Sequence, residues 1–377
     1  MTQLGMEKNR ISQSNWPLLI FVVLLVILGM ANLYSASAVR MEDGISVASY
    51  FQKQLLWVFV GLACMVVFMF FNYRRLSSMA EIFLILSIGF LLLVFVIGSE
   101  GGGARRWLNF GPISFQPSEA VKISVMIMAA KMLSNGREPL GWRDLAKVLL
   151  VTLVPMALVL KQPDLGTALI VLFIVGSMVL YRGVKKQILK VGIVLLVLSP
   201  FVLVELIIPN LHDYQRQRII GFVSPEQASP GALYQNNQSE IAIGSGQAWG
   251  KGFLEGTQSK LRFLPAKHTD FAIAVFGEEW GFAGNLLLVS LFCLFLLSIQ
   301  TTARDAKDRF GSVLAAGVFF YFFWQILINI GMVLGMMPVV GIPLPFISYG
   351  GTATIVNFCL VGLVINISMR RFVFKSY

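Results

Sequence analysis

Long apolar runs separated by short polar segments make up most of the chain. Ten of these runs are about 20 residues long, the length that a helix needs to cross a bilayer. They lack the apolar–polar alternation of a membrane barrel and exceed its strands of roughly 10 residues. The pattern therefore predicts an all-α polytopic membrane protein, with residues 1–377 forming one integral membrane domain. The ten predicted transmembrane helices cover residues 16–37, 54–71, 79–98, 118–134, 144–160, 165–181, 188–208, 271–299, 310–334 and 348–369.

The longest polar interruption, residues 209–270, lies between the seventh and eighth predicted helices. It carries both histidines of the chain, His212 and His268, and it ends at Asp270. Connections longer than about 12–15 residues are usually functional or disordered. We therefore predict a large functional loop, part of which, around SPEQASPG, is turn-rich enough to be mobile.

Lysine and arginine are distributed unevenly between the polar segments. They concentrate in every second segment, and the short loops of the alternating set hold few. The basic segments include 74–75, 182–190, 304–309 and 370–375. Because cytoplasmic loops carry the excess of positive charge, ten helices place both termini in the cytoplasm and make the loop at 209–270 extracytoplasmic. The same rule places three further segments on the outer side, 99–117, 161–164 and 335–347.

The composition agrees with a membrane protein and limits the functions to consider. Hydrophobic residues make up 56% of the chain and charged residues 13%, whereas soluble domains have about 25% charged residues. The net charge of +11 does not indicate nucleic-acid binding, because the cations lie between the predicted helices and form no patch. The cysteines lie inside apolar runs, as small buried side chains do. The sequence contains no Walker loop, GxSxG or HExxH motif, which argues against a nucleotide-driven pump.

Two of the predicted outer segments are rich in helix breakers. One, GSEGGGARRWLNFGPISFQPSE, holds three consecutive glycines followed by Arg105, Arg106 and Trp107. The other, MMPVVGIPLPFISYGG, holds three prolines and a glycine pair. Irregular backbone is tolerated at membrane depth only where protein or a water-filled cavity covers it. We therefore predict that both segments line one outward-facing cavity.

Three ionisable residues are candidates for this cavity. Pro117 suits the first position of a helix, so Glu119 and Lys122, three residues apart, share one helix face. They are either an acid at a helix N-terminus with a lysine that reaches the interface, or a charge pair that opens into the cavity. Asp164 in KQPDLG either caps the following helix or holds a divalent cation or an arginine at the cavity mouth.

The long polar loop supplies the remaining candidates. Arg216 and Arg218 in HDYQRQR would point to different faces of a helix; they are interfacial anchors or a phosphate-binding pair. Asp270 directly precedes an apolar run and is either the helix N-cap or a general base at the mouth of a low-dielectric cavity. Burial would raise the pKa of Asp270, whereas Lys267 and His268 would lower it.

Two polar pairs lie inside the apolar runs that follow. A helix cap at Asp270 does not explain Glu278 and Glu279, which lie two turns further along the chain. Gln325 and Asn329 are four residues apart, and we predict that they make interhelical hydrogen bonds rather than bind a ligand.

Several long motifs extend over nearly the whole chain. They are RRWLNFGPISFQPSE, QPDLGTAL, HDYQRQR, YQNNQSEIAIGSGQAWGKGF, GTQSKLRFLPAKHTDFAIAVFGEEWG and GMMPVVGIPLPFISYGG. Together they resemble the SEDS family (shape, elongation, division and sporulation), and GTQSKL and NIGMVLGMMPVVGIPLPF are more similar to its rod-shape branch than to its division branch. The stretch FAI at 271–273 departs from the Phe-Ile-Phe common in the family, a packing change that leaves the aspartate in place.

The resemblance implies a peptidoglycan glycosyltransferase of the bacterial cytoplasmic membrane. Its substrate would be lipid II, the undecaprenyl-pyrophosphate-linked disaccharide-pentapeptide. The functionally required aspartate of the family falls on Asp270, its cavity acid and lysine on Glu119 and Lys122, and its outer-turn aspartate on Asp164. The lipid pyrophosphate that leaves needs cations, and the candidates are Lys122 with Arg106, Arg216 or Arg218. Whether a divalent ion, Mg²⁺ or Mn²⁺, acts together with them stays open. The residues expected at the substrate, besides Asp270, are Glu119, Lys122, Asp164, Arg106, Arg216, Arg218 and His268.

The resemblance also implies partners. Members of the family work with a class B penicillin-binding protein, a transpeptidase that crosslinks the new strand, and other membrane proteins of the elongation complex are expected beside it. Two other functions stay open at this point. A lipid II flippase would have helices broken at the membrane midplane, often in corresponding halves, and a scaffold would only bind the transpeptidase.

Overall fold

Helices account for most of the chain. The computed structural model describes residues 15–38, 48–101, 104–111, 113–136, 138–202, 213–224, 230–260, 264 and 266–371. The helices are α1 (Trp16–Ala38), α2 (Ala48–Phe70), α3 (Tyr73–Ile97), α4 (Pro117–Asn135), α5 (Trp142–Lys161), α6 (Leu165–Arg182), α7 (Lys186–Val202), α8 (Asp213–Val223), α9 (Pro230–Ser245), α10 (Thr257–Lys260), α11 (Ala272–Arg304), α12 (Arg309–Val333) and α13 (Gly351–Met369). Between α3 and α4 lie the strands β1 (Ser99–Gly101), β2 (Ala104–Phe110) and β3 (Ile113–Phe115).

Each predicted transmembrane range falls on a helix. Within the described residues, seven helices are long and apolar enough to cross a membrane, namely α1, α2, α3, α6, α11, α12 and α13. The other three ranges fall on α4 and α5, which carry several charged residues, and on α7, which is described only as far as Val202. A multi-pass helical membrane architecture is therefore confirmed, whereas the number of ten spans stays a prediction.

The all-α prediction is wrong for the segment before α4. There, β1, β2 and β3 form an antiparallel sheet in that order, with Cα partners such as Glu100 with Arg105. Gly111 has a φ of 62° at the β2–β3 turn, a left-handed conformation that glycine adopts without steric cost. The glycine-rich sequence thus forms a small sheet. Strands as short as β1 and β3 leave no periodic signal from which to predict them.

The prediction of one large loop at 209–270 is also too simple. This insert contains α8, α9 and the short α10, and α9 packs against α11. Ser239 on α9 is buried and donates a hydrogen bond to Val333 O on α12 at 2.9 Å. His212 and most of SPEQASPG lie outside the described residues. The described part of the insert is therefore largely helical and is docked on the membrane bundle.

The helix α11 is interrupted near its start. Gly281 has φ 64° and ψ −160°, which separates a short N-terminal part from the remainder. Glu278 and Glu279 lie before this break and are both buried. Glu278 Oε1 accepts hydrogen bonds from Lys251 Nζ at 2.7 Å and from two backbone N–H groups of α10, and Glu279 accepts one from Ser35 on α1. The two acids therefore tie the insert and α1 to the helix that follows Asp270.

The centre of the bundle is formed by α12 and α13. α12 packs on α4, α6 and α11, while α13 packs mainly on α2. Phe346 contacts Phe322 of α12 with ring centroids 5.8 Å apart and Phe358 of α13 at 5.6 Å. Because Phe346 belongs to the helix-breaking segment between these two helices, that segment is anchored in the core.

Candidate active site

Asp270 lies in the turn between the insert and α11. It does not cap the helix, because Phe271 occupies the N-cap position and no side chain caps there. A methyl group placed on Gly341 would lie 3.5 Å from Asp270 Oδ2 and 3.9 Å from Arg218 Nη1. The acid and the arginine therefore face the same point of backbone. The capping interpretation of Asp270 is wrong, and its carboxylate is not engaged at the helix end.

The surroundings of Asp270 change its acidity. Burial raises the pKa of the carboxyl above its ordinary value, although the residue keeps some accessible surface. The Arg218 charge, a hydrogen bond with Thr269 and the Arg106 charge lower the pKa by less. The sequence left open whether burial or the neighbouring cations would dominate. The structure favours burial and identifies two arginines, rather than the two basic residues just before Asp270, as the cations that act on it.

Arg106 reaches the site from strand β2. Its guanidinium donates hydrogen bonds to two backbone carbonyls of the α5–α6 turn, Gln162 O at 3.2 Å and Pro163 O. Gln162 is buried and in turn donates to Leu91 O on α3 at 2.9 Å. The sheet and the α5–α6 turn are thereby joined, and the charge of Arg106 is held where it acts on Asp270.

Asp164, in the same turn, is the N-cap of α6. Its Oδ1 accepts a hydrogen bond from Thr167 N at 3.2 Å, and its Oδ2 accepts one from Thr167 Oγ1 at 2.9 Å. Oδ2 also accepts longer bonds from Ser118 Oγ at 3.3 Å and Gln116 Nε2 at 3.5 Å. The capping interpretation is confirmed. Since both oxygens are engaged within the protein, Asp164 positions the turn that holds Arg106.

Arg216 and Arg218 point to different sides of α8, as predicted. Arg218 faces the bundle and donates from Nη1 to Val339 O at 3.3 Å. Arg216 is exposed. The structure therefore brings Arg218 to Asp270 and leaves Arg216 at the surface.

Glu119 and Lys122 form a buried ion pair at the start of α4. Lys122 Nζ lies 2.7 Å from Glu119 Oε1, and each residue is 3% exposed. The ammonium lies 5.3 Å from the centroid of the Tyr321 ring on α12. The lysine does not reach the interface, so that interpretation is wrong. The described contacts connect the pair to Asp270 only indirectly. Ser118 at the start of α4 donates to Asp164, and Asp164 lies in the turn that holds Arg106.

His268 packs beside the site. Its ring stacks on Tyr50 of α2 with centroids 4.8 Å apart and planes 19° from parallel. Tyr349 meets the same Tyr50 ring edge-on at 5.2 Å. Aromatic residues from α2, from the turn before α11 and from the segment before α13 therefore converge next to Asp270.

A cavity of about 880 Å³ opens next to this turn, within the usual range of about 300–1,000 Å³ for ligand sites. Its walls come from α2, the three strands and the segment before α13, and Thr269 extends the wall to the neighbour of Asp270. The lining residues are Gln52, Lys53, Leu56, Trp57, Ser99, Glu100, Trp107, Asn109, Ser114, Thr269, Tyr349, Gly350 and Gly351. The prediction that both helix-breaking segments line one cavity is confirmed. The Glu119–Lys122 pair does not line it.

A sequence model of the FTSW_RODA_SPOVE family, described as "Cell cycle protein", matches residues 15–372. The chain belongs to this family. Peptidoglycan glycosyltransferase MrdB of Escherichia coli (strain K12) is 38% identical to this family member over 355 residues, 93% of each chain. Probable peptidoglycan glycosyltransferase FtsW of Geobacter metallireducens is 35% identical over 358 residues, 94% of each chain.

Solved structures share the fold of this family member. One is a chain from work on the structural coordination of polymerization and crosslinking by a peptidoglycan synthase complex; it matches with a TM-score of 0.80 and 32% identity. The rod shape determining protein RodA of Thermus thermophilus matches with a TM-score of 0.70 and 30% identity. Both matches cover 95% of this chain and 98% of the other.

The resemblance left a divalent cation open for this family member. Among the residues that the structure describes, no three His, Cys, Asp or Glu side chains come together as a metal site. The charged groups that act on Asp270 are two arginines. These residues do not fit a Mg²⁺ or Mn²⁺ ion held by the protein alone.

Proposed function

We propose that this chain is a peptidoglycan glycosyltransferase that polymerises lipid II into β-1,4 glycan strands during cell elongation. The observation that carries the proposal is the placement of Asp270. Burial raises the pKa of its carboxyl, the charges of Arg218 and Arg106 act on it, and its neighbour Thr269 lines a cavity of about 880 Å³. Relatives over nearly the full chain that are named peptidoglycan glycosyltransferases support this reaction class.

In this proposal Asp270 is the general base. Its carboxylate takes the proton from the 4-hydroxyl of the acceptor GlcNAc as that oxygen forms a bond to the anomeric carbon of the donor MurNAc. The bond from this carbon to the pyrophosphate breaks, and its electron pair leaves with the lipid pyrophosphate. Lipid II is α-linked and the product is β-linked, so one inverting displacement suffices. A base with a raised pKa is matched to proton transfer near neutral pH.

Arg218 and Arg106 supply positive charge for the leaving group. Fixed cations in a site that excludes water stabilise developing charge more than mobile ions in solution do. Both arginines are held by backbone carbonyls, of Val339 in one case and of the α5–α6 turn in the other. This arrangement favours them over Lys122, which is already paired with Glu119.

The cavity beside the turn suits a saccharide. Trp57, Trp107 and Tyr349 offer aromatic surfaces, and Gln52 and Asn109 offer amide groups. Sites for small molecules combine apolar and aromatic walls with a few polar groups that fix orientation. The sugars of lipid II would lie there, with the polyprenyl chain in the bilayer.

The membrane placement belongs to the same proposal. Ten spans, with both termini in the cytoplasm, put Asp270, the sheet and the insert at the outer face of the cytoplasmic membrane. There the product strand would meet a class B penicillin-binding protein, whose crosslinking activity follows polymerisation, and other membrane proteins of the elongation complex.

The test is purified full-length protein incubated with lipid II, with and without the transpeptidase and with Mg²⁺, Mn²⁺ or EDTA. We expect glycan polymer, and we expect its loss in correctly folded Asp270→Asn. Translocation of lipid II without polymer would indicate a flippase, and neither product would indicate a scaffold. Full polymerisation by Asp270→Asn would remove Asp270 from its role as base.

A further inference from the structure

The backbone on which Asp270 sits is hydrogen-bonded both to Ala266 of the insert and to the region 329–349. The carbonyl groups of the three consecutive residues 268–270 each accept a hydrogen bond from a different donor of the region 329–349. The donors are Tyr349 N to His268 O at 2.8 Å, Ser348 Oγ to Thr269 O at 2.6 Å and Asn329 Nδ2 to Asp270 O at 2.9 Å. With the carbonyls of residues 268–270 fixed, the peptide planes that carry the side chain of Asp270 cannot rotate freely.

The two side-chain donors are themselves fixed. Ser348 is buried, and its Oγ accepts a hydrogen bond from Leu344 N at 2.9 Å, so its proton is directed to Thr269 O. Asn329 has no exposed surface, and its Nδ2 also donates to Ile342 O at 2.7 Å. Both amide hydrogens of Asn329 are therefore used. A flipped amide would place Oδ1 against two carbonyl oxygens.

The same segment also positions the cation. Val339 O accepts from Arg218, and Gly341 lies between Arg218 and Asp270. Gly341 has a φ of 74°, where a side chain would be strained. The region that holds the carbonyls of residues 268–270 thus also sets the distance between the acid and the arginine.

We propose that Ser348 and Asn329 are positioning residues for Asp270, acting through the carbonyls of Thr269 and Asp270. The proposal rests on the proposed function of Asp270 as the base. A misplacement of about 1 Å can cost roughly 100-fold in rate. Loss of one of three carbonyl contacts is therefore expected to lower kcat about tenfold. KM should change little, because neither side chain lines the cavity.

The experiment compares Ser348→Ala with Ser239→Ala in full-length protein turning over lipid II. Ser239 is a matched control, because it is a buried serine that also donates to a carbonyl, Val333 O, away from Asp270. Both variants lose a hydrogen bond that a buried serine donates to a distant carbonyl, and Ser348→Ala also loses the bond accepted from Leu344 N. The thermal unfolding midpoint of Ser348→Ala should therefore fall at least as far as that of Ser239→Ala, and kcat is compared on the folded fraction of each variant. Only Ser348→Ala should lose about tenfold in kcat. Ser348→Thr keeps the hydroxyl and should recover activity, and Asn329→Ala should repeat the loss.

The outcomes separate this inference from the proposed function. If Asp270→Asn is inactive while Ser348→Ala and Asn329→Ala keep normal kcat, the positioning role is wrong and the base stands. An equal loss in Ser239→Ala, or a rise in KM at unchanged kcat, also overturns it. If Asp270→Asn is fully active, the role of Asp270 as the base is wrong and the positioning role falls with it, whatever the serine variants do.

Discussion

Asp164 and Asp270 occupy similar places in the sequence and different places in the chemistry. Each follows a polar turn and comes just before an apolar helix, so helix capping was a sound interpretation of both. In the structure Asp164 caps α6, with both oxygens hydrogen-bonded inside the protein. Asp270 leaves the cap position to Phe271 and faces Gly341 and Arg218 instead.

The difference lies in which part of each residue the protein holds. The protein binds Asp164 by its carboxylate, and both carboxylate oxygens accept hydrogen bonds within the protein. It binds Asp270 by its backbone carbonyl, through Asn329, and leaves the side chain beside the cavity wall. An acid whose main chain is restrained and whose carboxylate does not cap a helix can exchange a proton at a fixed point. An acid whose oxygens are filled contributes to stability.

The sharpest test of this comparison applies the same substitution to both acids. Asp270→Asn should lower the rate of lipid II polymerisation by about 10³-fold, because general-base catalysis contributes roughly 10²–10⁴-fold. Asp164→Asn should stay near the original rate, because asparagine also accepts a hydrogen bond at a helix N-cap. Rates are measured on purified protein with matched unfolding midpoints. Equal losses in the two variants would contradict the division of roles.

The second test compares the two arginines of α8, Arg218 near Asp270 and Arg216 at the surface. Arg218→Gln should reduce kcat about 10²-fold, the scale for removal of one preorganised charge or donor. Arg216→Gln is the matched control on the same helix, because Arg216 is exposed. Its kcat should be close to that of the original protein. Steady-state kinetics of lipid II turnover distinguishes the two. Similar losses in both variants would point to a general effect of charge on the insert.

The pH dependence tests the acidity of Asp270 directly. The base must be deprotonated, so kcat/KM rises with pH through its pKa, and burial places this limb above the range of an ordinary aspartate. The Arg218 charge lowers the pKa of Asp270. Arg218→Gln should therefore move the limb to higher pH, whereas Arg216→Gln should leave it in place. A shift to lower pH in Arg218→Gln would be incompatible with this electrostatic arrangement.

The smallest expected effect is on stability. Asp164→Ala removes a helix cap and should lower the free energy of unfolding by about 1 kcal/mol. Asp270→Ala removes no cap, and it relieves a carboxylate whose charged form is disfavoured by burial. The cost of burying the carboxylate is fully present above the raised pKa of Asp270. The thermal unfolding midpoint of Asp270→Ala near neutral pH should therefore be unchanged or higher than that of the original protein. Thermal unfolding in detergent compares the two, and a larger loss in Asp270→Ala would reverse the comparison.

Much of this arrangement could be predicted from the sequence, because it depends on local pattern. Apolar runs locate the helices, and the helical repeat separates Arg216 from Arg218. Helix breakers in two distant segments predicted the shared cavity. The choice between two interpretations of the same acid could not be made in this way. It depends on contacts such as Asn329 with Asp270 O, 59 positions apart, to which no spacing rule applies.

The sheet and the docked insert escaped prediction for a related reason. β1 and β3 are too short to show alternation. α9 carries little amphipathic pattern, and its place is set by α11. In the sequence, Glu278 is an unexplained charge in an apolar run. The structure explains it, because Glu278 accepts hydrogen bonds from Lys251 and from the backbone of α10. These features depend on tertiary contacts, and neither composition nor local sequence pattern predicts them.

The break at Gly281 has a consequence for the depth of these acids in the bilayer. A straight helix of 33 residues would measure about 50 Å, well beyond the roughly 30 Å of hydrocarbon. The part after Gly281 is long enough to cross alone. In the proposed membrane placement, the part before it would lie outside the hydrocarbon, where Glu278 and Glu279 avoid the cost of an ionised group in the bilayer. Asp270 directly precedes that part, so its position is set by the contacts of residues 266–271 with the insert and the region 329–349, and not by the part of α11 after Gly281.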